Sequence, residues 1–187
     1  MKSNSREAII ATAMGLAQAH GYAGLNYREL AEAVGIKPAS IYHYFPSKAD
    51  LGAAVAKRYW EDFSVILEGV SATAKSPLDA LRGYPATFRT ALENDNRICL
   101  SSFMTAEFDD LPATVRAEVQ TFGNVNIAWL SKHLVAAKIV GSKEGEKRAR
   151  AIYAAIGGAQ LMARGRADLK LFDDLISSFR VAGLLPG

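Results

Sequence analysis

Apolar residues recur every three or four positions along almost the whole chain, which is the spacing of one face of an α-helix. The spacing predicts a first helix over 4–20, capped by Asn4 and ended by Gly21. No run alternates apolar and polar residues between hairpin turns, as β-strands do. The pattern therefore predicts an all-α fold of about nine helices.

Two short helices are predicted next, over 27–34 and 38–45. Asn26 caps the first and Gly35 ends it, while Pro38 fits the first position of the second. Ser47, with Asp50 three residues on, caps a fourth helix. Later helices are expected near 78–95, 98–108, 112–139, 142–164 and 168–182, and Pro85 is expected to kink or divide the first of these.

Residues 25–51 place two short helices on either side of a tight turn at Gly35, which is the outline of a helix-turn-helix. Ile41 and Phe45 lie four apart and are expected to face inward. The remaining positions of the second helix carry no acidic residue and offer donors to phosphate or base edges. Lys48 begins the next helix, whose positive end favours a phosphate. The predicted DNA-contacting residues are Asn26, Tyr27, Arg28, Lys37, Pro38, Ala39, Ser40, Tyr42, His43, Tyr44 and Lys48.

The stretch from Ala11 through Leu51 resembles the DNA-binding head of the tetracycline-repressor (TetR) family. The matching segments are Gly21-Tyr22, Arg28-Glu29-Leu30-Ala31, Ala33-Val34-Gly35-Ile36 and the run from Ile41 to Leu51. One departure is the order Tyr42, His43, Tyr44, Phe45, so base preferences cannot be transferred. The resemblance implies a helix-turn-helix DNA-binding domain over 1–47. It also implies an all-helical ligand-binding and dimerisation domain over 48–187, with the dimer made by the last two helices.

Two further sets of residues are assigned within the C-terminal domain. Aromatic and neighbouring side chains on the central helices form either plain core or, as a set, an apolar pocket with a few polar anchors. They are Phe63, Leu67, Tyr84, Phe88, Cys99, Phe103, Phe122, Asn126 and Trp129. Apolar and small residues on the last two helices favour close helix approach in a four-helix interface between two subunits. They are Ile152, Ile156, Gly157, Leu169, Phe172, Ile176 and Phe179.

Composition and charge narrow the class of protein. The chain has 187 residues and a single cysteine, Cys99, which excludes an intrachain disulfide. No secretory signal and no run of about 20 apolar residues is found, so a cytoplasmic location without membrane contact is expected. Residues 1–48 hold five bases and three acids, whereas 61–118 hold ten acids and five bases. A basic first segment suits a protein that places only this part on a polyanion.

Catalysis finds little support, because His20, His43 and His133 are isolated and no phosphate-binding loop is found. We therefore expect no enzyme, no cofactor and no metal site. Cys99 is either a redox or electrophile sensor or, as we favour, a small buried hydrophobe. Seven bases over 138–166 form either a second DNA site or, as we favour, a solvated helix face.

The expected function is that of a homodimeric DNA-binding transcription regulator. Its partners are a double-stranded, near-palindromic DNA operator and a small-molecule effector that releases the repressor from it. The alternative is a helical ligand-binding or interaction protein that does not bind DNA.

Overall fold

A computed structural model describes residues 2–187, with side chains from residue 5 onward. Over this range it contains nine α-helices, one short 3₁₀ helix at Phe108–Asp110 and no strand. The all-α prediction is therefore confirmed. The helices are α1 (Lys2–His20), α2 (Tyr27–Val34), α3 (Pro38–Tyr44), α4 (Lys48–Thr73), α5 (Pro77–Glu93), α6 (Leu100–Ala106), α7 (Ala113–Ala136), α8 (Gly145–Arg166) and α9 (Leu169–Val181).

Two local predictions about helix punctuation differ from the structure. Helix α1 begins at Lys2, so Asn4 lies inside the helix rather than at its cap, and the side chain of Asn4 lies outside the described side chains. Helix α5 runs unbroken through Pro85, so the expected division is wrong, whereas the alternative of a kink stays a prediction. Pro85 is buried, and packing on both sides of a proline can hold a helix together despite the lost backbone hydrogen bond.

The described chain packs as two compact units. The first contains the residues up to Asp62 together with Leu100–Phe122, and the second contains Phe63–Cys99 together with Gly123–Gly187. Helices α4 and α7 each contribute to both units. These units are defined by packing, so the division of functions between 1–47 and 48–187 stays a prediction.

The core of the first unit explains why its short helices persist. Helices of seven and eight residues are unstable alone in water, so α2 and α3 depend on burying apolar side chains against neighbours. Leu30 from α2 and Ile41 from α3 are fully buried. Each contributes roughly 1.5–3 kcal/mol by leaving water. The same core takes its other large side chains from α1, α4, α6 and α7: Ile9, Ile10, Leu51, Val55, Leu100, Met104 and Val115.

The second unit is built on the mutual packing of α5, α8 and α9. Its buried side chains include Leu81, Tyr84, Phe88, Leu130, Leu134, Ile152, Ile156, Phe172 and Ile176. On its surface, Arg89 of α5 holds Asp173 of α9 through two hydrogen bonds of 2.8 and 3.0 Å. These bonds lower the pKa of Asp173.

Two glycines give a matched test of backbone conformation. Gly35 ends α2 with φ +74°, and a Cβ there meets no atom within 4 Å, as is also true at Gly69 inside α4. Because only Gly35 has a left-handed backbone, Gly35→Ala should lower the free energy of unfolding by about 1 kcal/mol. Gly69→Ala should raise it by up to about 1 kcal/mol. Chemical denaturation measures both, and a stabilised Gly35→Ala would contradict the assignment.

Candidate functional site

Both ends of α2 carry the capping residues that the sequence predicts. The Asn26 side-chain oxygen accepts hydrogen bonds from the backbone amides of Arg28 at 2.8 Å and Glu29 at 3.4 Å. At the other end of α2, Gly35 adopts the left-handed conformation and the amide of Ile36 donates to the carbonyl of Ala31 at 2.9 Å. These bonds satisfy backbone groups that a helix leaves open at its ends. Helix α2 is thereby capped at both ends, and the Gly35 end forms the turn into α3.

Helix α3 has one buried face and one exposed face. Ile41 is 0% exposed and Phe45, its C-cap, is 2% exposed, which confirms that both face inward. Ser40 and Tyr44 are half-buried. The exposed positions are Lys37, Pro38, Ala39, Tyr42 and His43. This outer surface carries an ammonium, a phenol and an imidazole and no carboxylate, so hydrogen-bond donors dominate it.

Tyr27 was expected to contact DNA, but the structure gives its hydroxyl a different partner. The Tyr27 hydroxyl donates to the backbone carbonyl of Phe45 at 2.8 Å, and its ring centroid lies 4.7 Å from that of Tyr42. Burial, followed by the proximity of Tyr42 and Asp50, raises the pKa of Tyr27 to about 12. The phenol therefore stays protonated and holds the C-terminal end of α3. This bond stabilises the position of α3, and a contact between Tyr27 and DNA stays a prediction.

The start of α4 carries the predicted capping pair. The Asp50 carboxylate accepts from the amide of Ser47 at 3.0 Å and from its hydroxyl at 2.6 Å, and the Ser47 hydroxyl oxygen accepts from the amide of Asp50 at 3.1 Å. This reciprocal arrangement confirms the predicted cap. It fixes the first turn of α4, from which Lys48 projects.

Lys48 lies at the first position of α4 and is half-buried. Its ammonium donates to the backbone carbonyl of Ala23 at 3.0 Å and lies 4.8 Å from the centroid of the Tyr22 ring. An ammonium has three donors, so a bond to Ala23 leaves two for an anion. Together with the positive end of α4, Lys48 therefore forms a site that suits a phosphate.

One carboxylate at this site was not anticipated from the sequence. Glu107, just after α6, accepts hydrogen bonds from the backbone amides of Tyr22 at 2.6 Å and Ala23 at 3.2 Å. Its partners are 85 and 84 residues away along the chain. No local pattern links positions so far apart, so only the folded structure identifies this contact.

The structure brings the predicted DNA-contacting residues together on α2, α3 and the start of α4. Asn26 and Arg28 at the start of α2 are exposed, like the outer face of α3. We define the α3 surface as Lys37, Pro38, Ala39, Tyr42 and His43. Within the first unit, this surface and the two helix starts offer side chains and amides that suit polyanion binding.

Seven of the predicted pocket residues lie in the second unit, where several form an aromatic cluster. The Tyr84 ring stacks on Trp129 at 5.4 Å, and Phe88 meets Phe63 edge-on at 5.4 Å. The Tyr84 hydroxyl donates to the side-chain oxygen of Asn126 at 2.7 Å. Burial raises the pKa of Tyr84 well above its ordinary value, so this phenol stays neutral.

The rest of the predicted pocket set is placed as follows. Leu67 and Cys99 are buried in the second unit, and the amide of Cys99 donates to the side chain of Gln160 at 2.9 Å. Phe103 and Phe122 belong to the first unit, where Phe122 stacks on Tyr59 at 5.3 Å. The burial of Cys99 agrees with its expected place as a small buried hydrophobe.

Four of the seven residues predicted for a dimer interface are interior to a single chain, and the interface itself stays a prediction. The side chains of Ile152, Ile156, Phe172 and Ile176 are buried within the second unit, so they have no surface to offer a partner. Gly157, Leu169 and Phe179 are half-buried. Periodicity identified apolar positions on α8 and α9, but it could not tell which face meets the core of the same chain. The large apolar residues that these helices do expose are Leu161, Met162 and Val181.

The remaining features to be placed are metal-binding groups, membrane-spanning helices and the second basic region. Among the described residues, no group of three His, Cys, Asp or Glu side chains is arranged to hold a metal ion. No helix in the described part of the chain has the length and apolar character needed to cross a membrane. In the second basic region, Lys138, Lys143, Lys147, Arg150 and Arg166 are exposed, whereas Arg148 and Arg164 are half-buried.

Comparison with known proteins places this geometry in context. Residues 9–55 match the family described as "Bacterial regulatory proteins, tetR family". The chain is 26% identical over 170 residues to the HTH-type transcriptional repressor NemR of Escherichia coli K12, covering 86% of this chain and 84% of the relative.

Two solved structures extend the likeness over almost the whole fold. A TetR transcriptional regulator from Legionella pneumophila superposes with a TM-score of 0.84 at 27% identity, covering 90% of this chain and 91% of that one. A TetR-family regulator from Agrobacterium tumefaciens gives 0.86 at 25% identity, covering 94% and 95%.

Proposed function

We propose that this chain represses transcription from a near-palindromic operator until a small molecule binds it. The chain belongs to the TetR family and is a DNA-binding transcriptional regulator. Repression is favoured over activation because NemR, a relative along most of the chain, is a transcriptional repressor. The protein acts in the cytoplasm on double-stranded DNA.

The observation that carries the proposal is the acid-free α3 surface beside the start of α4. Lys37, Tyr42 and His43 are exposed on a helix whose other face is held in the core. Such a helix enters the major groove, where lysine, hydroxyl and imidazole groups read base edges. Lys48 and the positive end of α4 bind a phosphate, which fixes the register without specifying sequence.

The aromatic cluster of the second unit supports binding of an apolar, aromatic effector. Tyr84, Phe88 and Trp129 provide ring faces, and Asn126 and the neutral phenol of Tyr84 provide polar anchors. Ligand sites are characteristically apolar with a few well-placed polar groups. The cluster is closely packed, so an effector binds by separating some of these rings and thereby stabilises a different arrangement of the chain.

The exposed face of α8 supports a homodimer. Leu161 is 61% and Met162 51% exposed, and the exposed residues Ala154 and Gly158 precede them at helical spacing. Small residues beside large apolar ones allow two helices to approach closely, as in a four-helix interface between subunits. A twofold dimer places its two α3 helices roughly 34 Å apart, one turn of duplex DNA. Effector binding that favours another separation lowers DNA affinity by its differential binding energy.

A mobility-shift assay with the DNA upstream of the protein's own gene tests the central proposal. We expect retardation at low ionic strength that survives an excess of scrambled duplex. A series of neutral aromatic compounds should then include members that raise the melting temperature and release the DNA. Failure to bind any duplex at low ionic strength would favour the alternative of a helical ligand-binding protein.

Two substitutions separate phosphate contact from base reading. Lys48→Gln should weaken binding to operator and non-operator DNA alike, and should reduce the slope of log affinity against log salt by about one. His43→Ala should change the preference among operator variants and leave non-operator binding nearly unchanged, because base contacts carry the specificity. Fluorescence anisotropy with both DNAs measures these effects. Equal, sequence-blind losses for both variants would argue against base reading by His43.

A charge on the exposed face of α8 tests the dimer. Leu161→Glu should shift the protein from dimer to monomer in analytical ultracentrifugation at micromolar concentration, since it places a carboxylate in an apolar interface. Operator affinity should fall with it. Val65→Glu is the matched control, because Val65 is 67% exposed and belongs to α4 rather than to α8. It should leave the dimer intact, and a dimeric Leu161→Glu protein would refute this interface.

A further inference from the structure

The turn that joins α1 to α2 is held by a carboxylate from a distant part of the chain. The Glu107 oxygens take one backbone amide each, from Tyr22 and Ala23. Hydrogen bonds to an ionised acceptor are shorter and stronger than those between neutral groups. The amide bond to Tyr22, at 2.6 Å, has this short geometry. A two-point grip of this kind fixes both the position and the direction of the turn.

The turn is also shaped so that the carboxylate fits against it. Gly21 has φ +70°, and a Cβ at this position would lie 2.4–2.6 Å from the Glu107 carboxyl atoms. Any side chain at residue 21 would therefore be strained and would displace Glu107. The Glu107 carboxylate can approach this closely only because residue 21 is a glycine. The contact is therefore specific to this turn.

The same turn orients the cation assigned to a DNA phosphate. Lys48 donates to the carbonyl of Ala23, whose amide donates to Glu107. The ammonium also lies against the ring of Tyr22, whose amide is the other donor to Glu107. Tyr22 and Ala23 thus bind the Glu107 carboxylate through their backbone amides. The Lys48 ammonium contacts the same two residues at the Ala23 carbonyl and the Tyr22 ring.

We propose that Glu107 is a positioning residue for DNA binding, which acts through the α1–α2 turn to hold Lys48 in the geometry that binds a phosphate. The inference rests on the proposed function and extends it to a residue outside the helix-turn-helix. When the carboxylate is lost, the turn is no longer held, and the carbonyl of Ala23 and the ring of Tyr22 can move. Lys48 then loses the contacts that orient its ammonium. DNA affinity then falls, because the Lys48 ammonium is no longer held where it binds a phosphate.

A double-mutant cycle on the full-length protein tests this link. Glu107→Gln keeps one acceptor oxygen but turns a donor toward the second amide, so it should weaken operator binding by about tenfold. In the Lys48→Gln background the same change should cost less than about twofold, because the cation it positions is gone. Asp110→Asn, an equal change of charge three residues on, is the matched control and should leave affinity unchanged.

Several results would overturn the proposal. One is that Glu107→Gln binds the operator with wild-type affinity. Another is that Glu107→Gln loses the same affinity with Lys48 present and with Lys48→Gln, which would indicate a general structural role. If Glu107→Gln does not fold by circular dichroism, Glu107→Asp provides the same cycle, since it keeps the charge but withdraws it by one methylene. A wild-type protein that binds no duplex would instead defeat the proposed function itself. A wild type that binds, with no coupling between residues 107 and 48, would defeat only this inference.

Discussion

The α3 surface depends on the burial of Ile41, within a seven-residue helix, and of Phe45 at its C-cap. A helix this short cannot offset its own nucleation cost in water, so α3 exists because Ile41 and Phe45 are inserted into the core of the first unit. The bond from the Tyr27 hydroxyl to the Phe45 carbonyl closes its C-terminal end. The same inward contacts determine which residues face outward, and so the core determines the composition of the α3 surface.

Local signals in the sequence were sufficient for this part of the structure. Asn26, Gly35 and the Ser47–Asp50 pair act within three or four residues of themselves, and each takes the expected place. The contacts of Glu107 and Gln160 could not be predicted in the same way. Each joins backbone groups more than 60 residues away, and a single glutamate or glutamine carries no mark of its distant partner. The hydrogen bond of Tyr27 could not be predicted either, because its hydroxyl could bind DNA or the chain itself, and only the folded structure shows its bond to the Phe45 carbonyl.

Helix α8 illustrates a different limit of sequence patterns. It carries one apolar stripe that includes Ile152, Ile156 and Ala159 and a second that includes Leu161 and Met162. Periodicity reveals that such a helix has too much apolar surface for one neighbour. It does not reveal which stripe the chain buries for itself. The β-branched residues Ile152 and Ile156 lie inside the chain, and the face of α8 that meets a second subunit stays a proposal.

The composition of the first unit bounds how strongly DNA binding can respond to the rest of the molecule. The helix-turn-helix shares its core with Leu100 and Met104 of α6, and its first turn is held by Glu107 just beyond that helix. Cys99, immediately before α6, has its amide bound to the buried Gln160 of the second unit. The backbone amide just before this seven-residue helix and the carboxylate just after it thus both form hydrogen bonds. Any rearrangement that alters α6 must change the free energy of these few contacts. Allosteric couplings usually amount to about 1–3 kcal/mol, which is on the order of a few hydrogen bonds or apolar contacts. A change of DNA affinity through α6 therefore requires no unfolding of the helix-turn-helix.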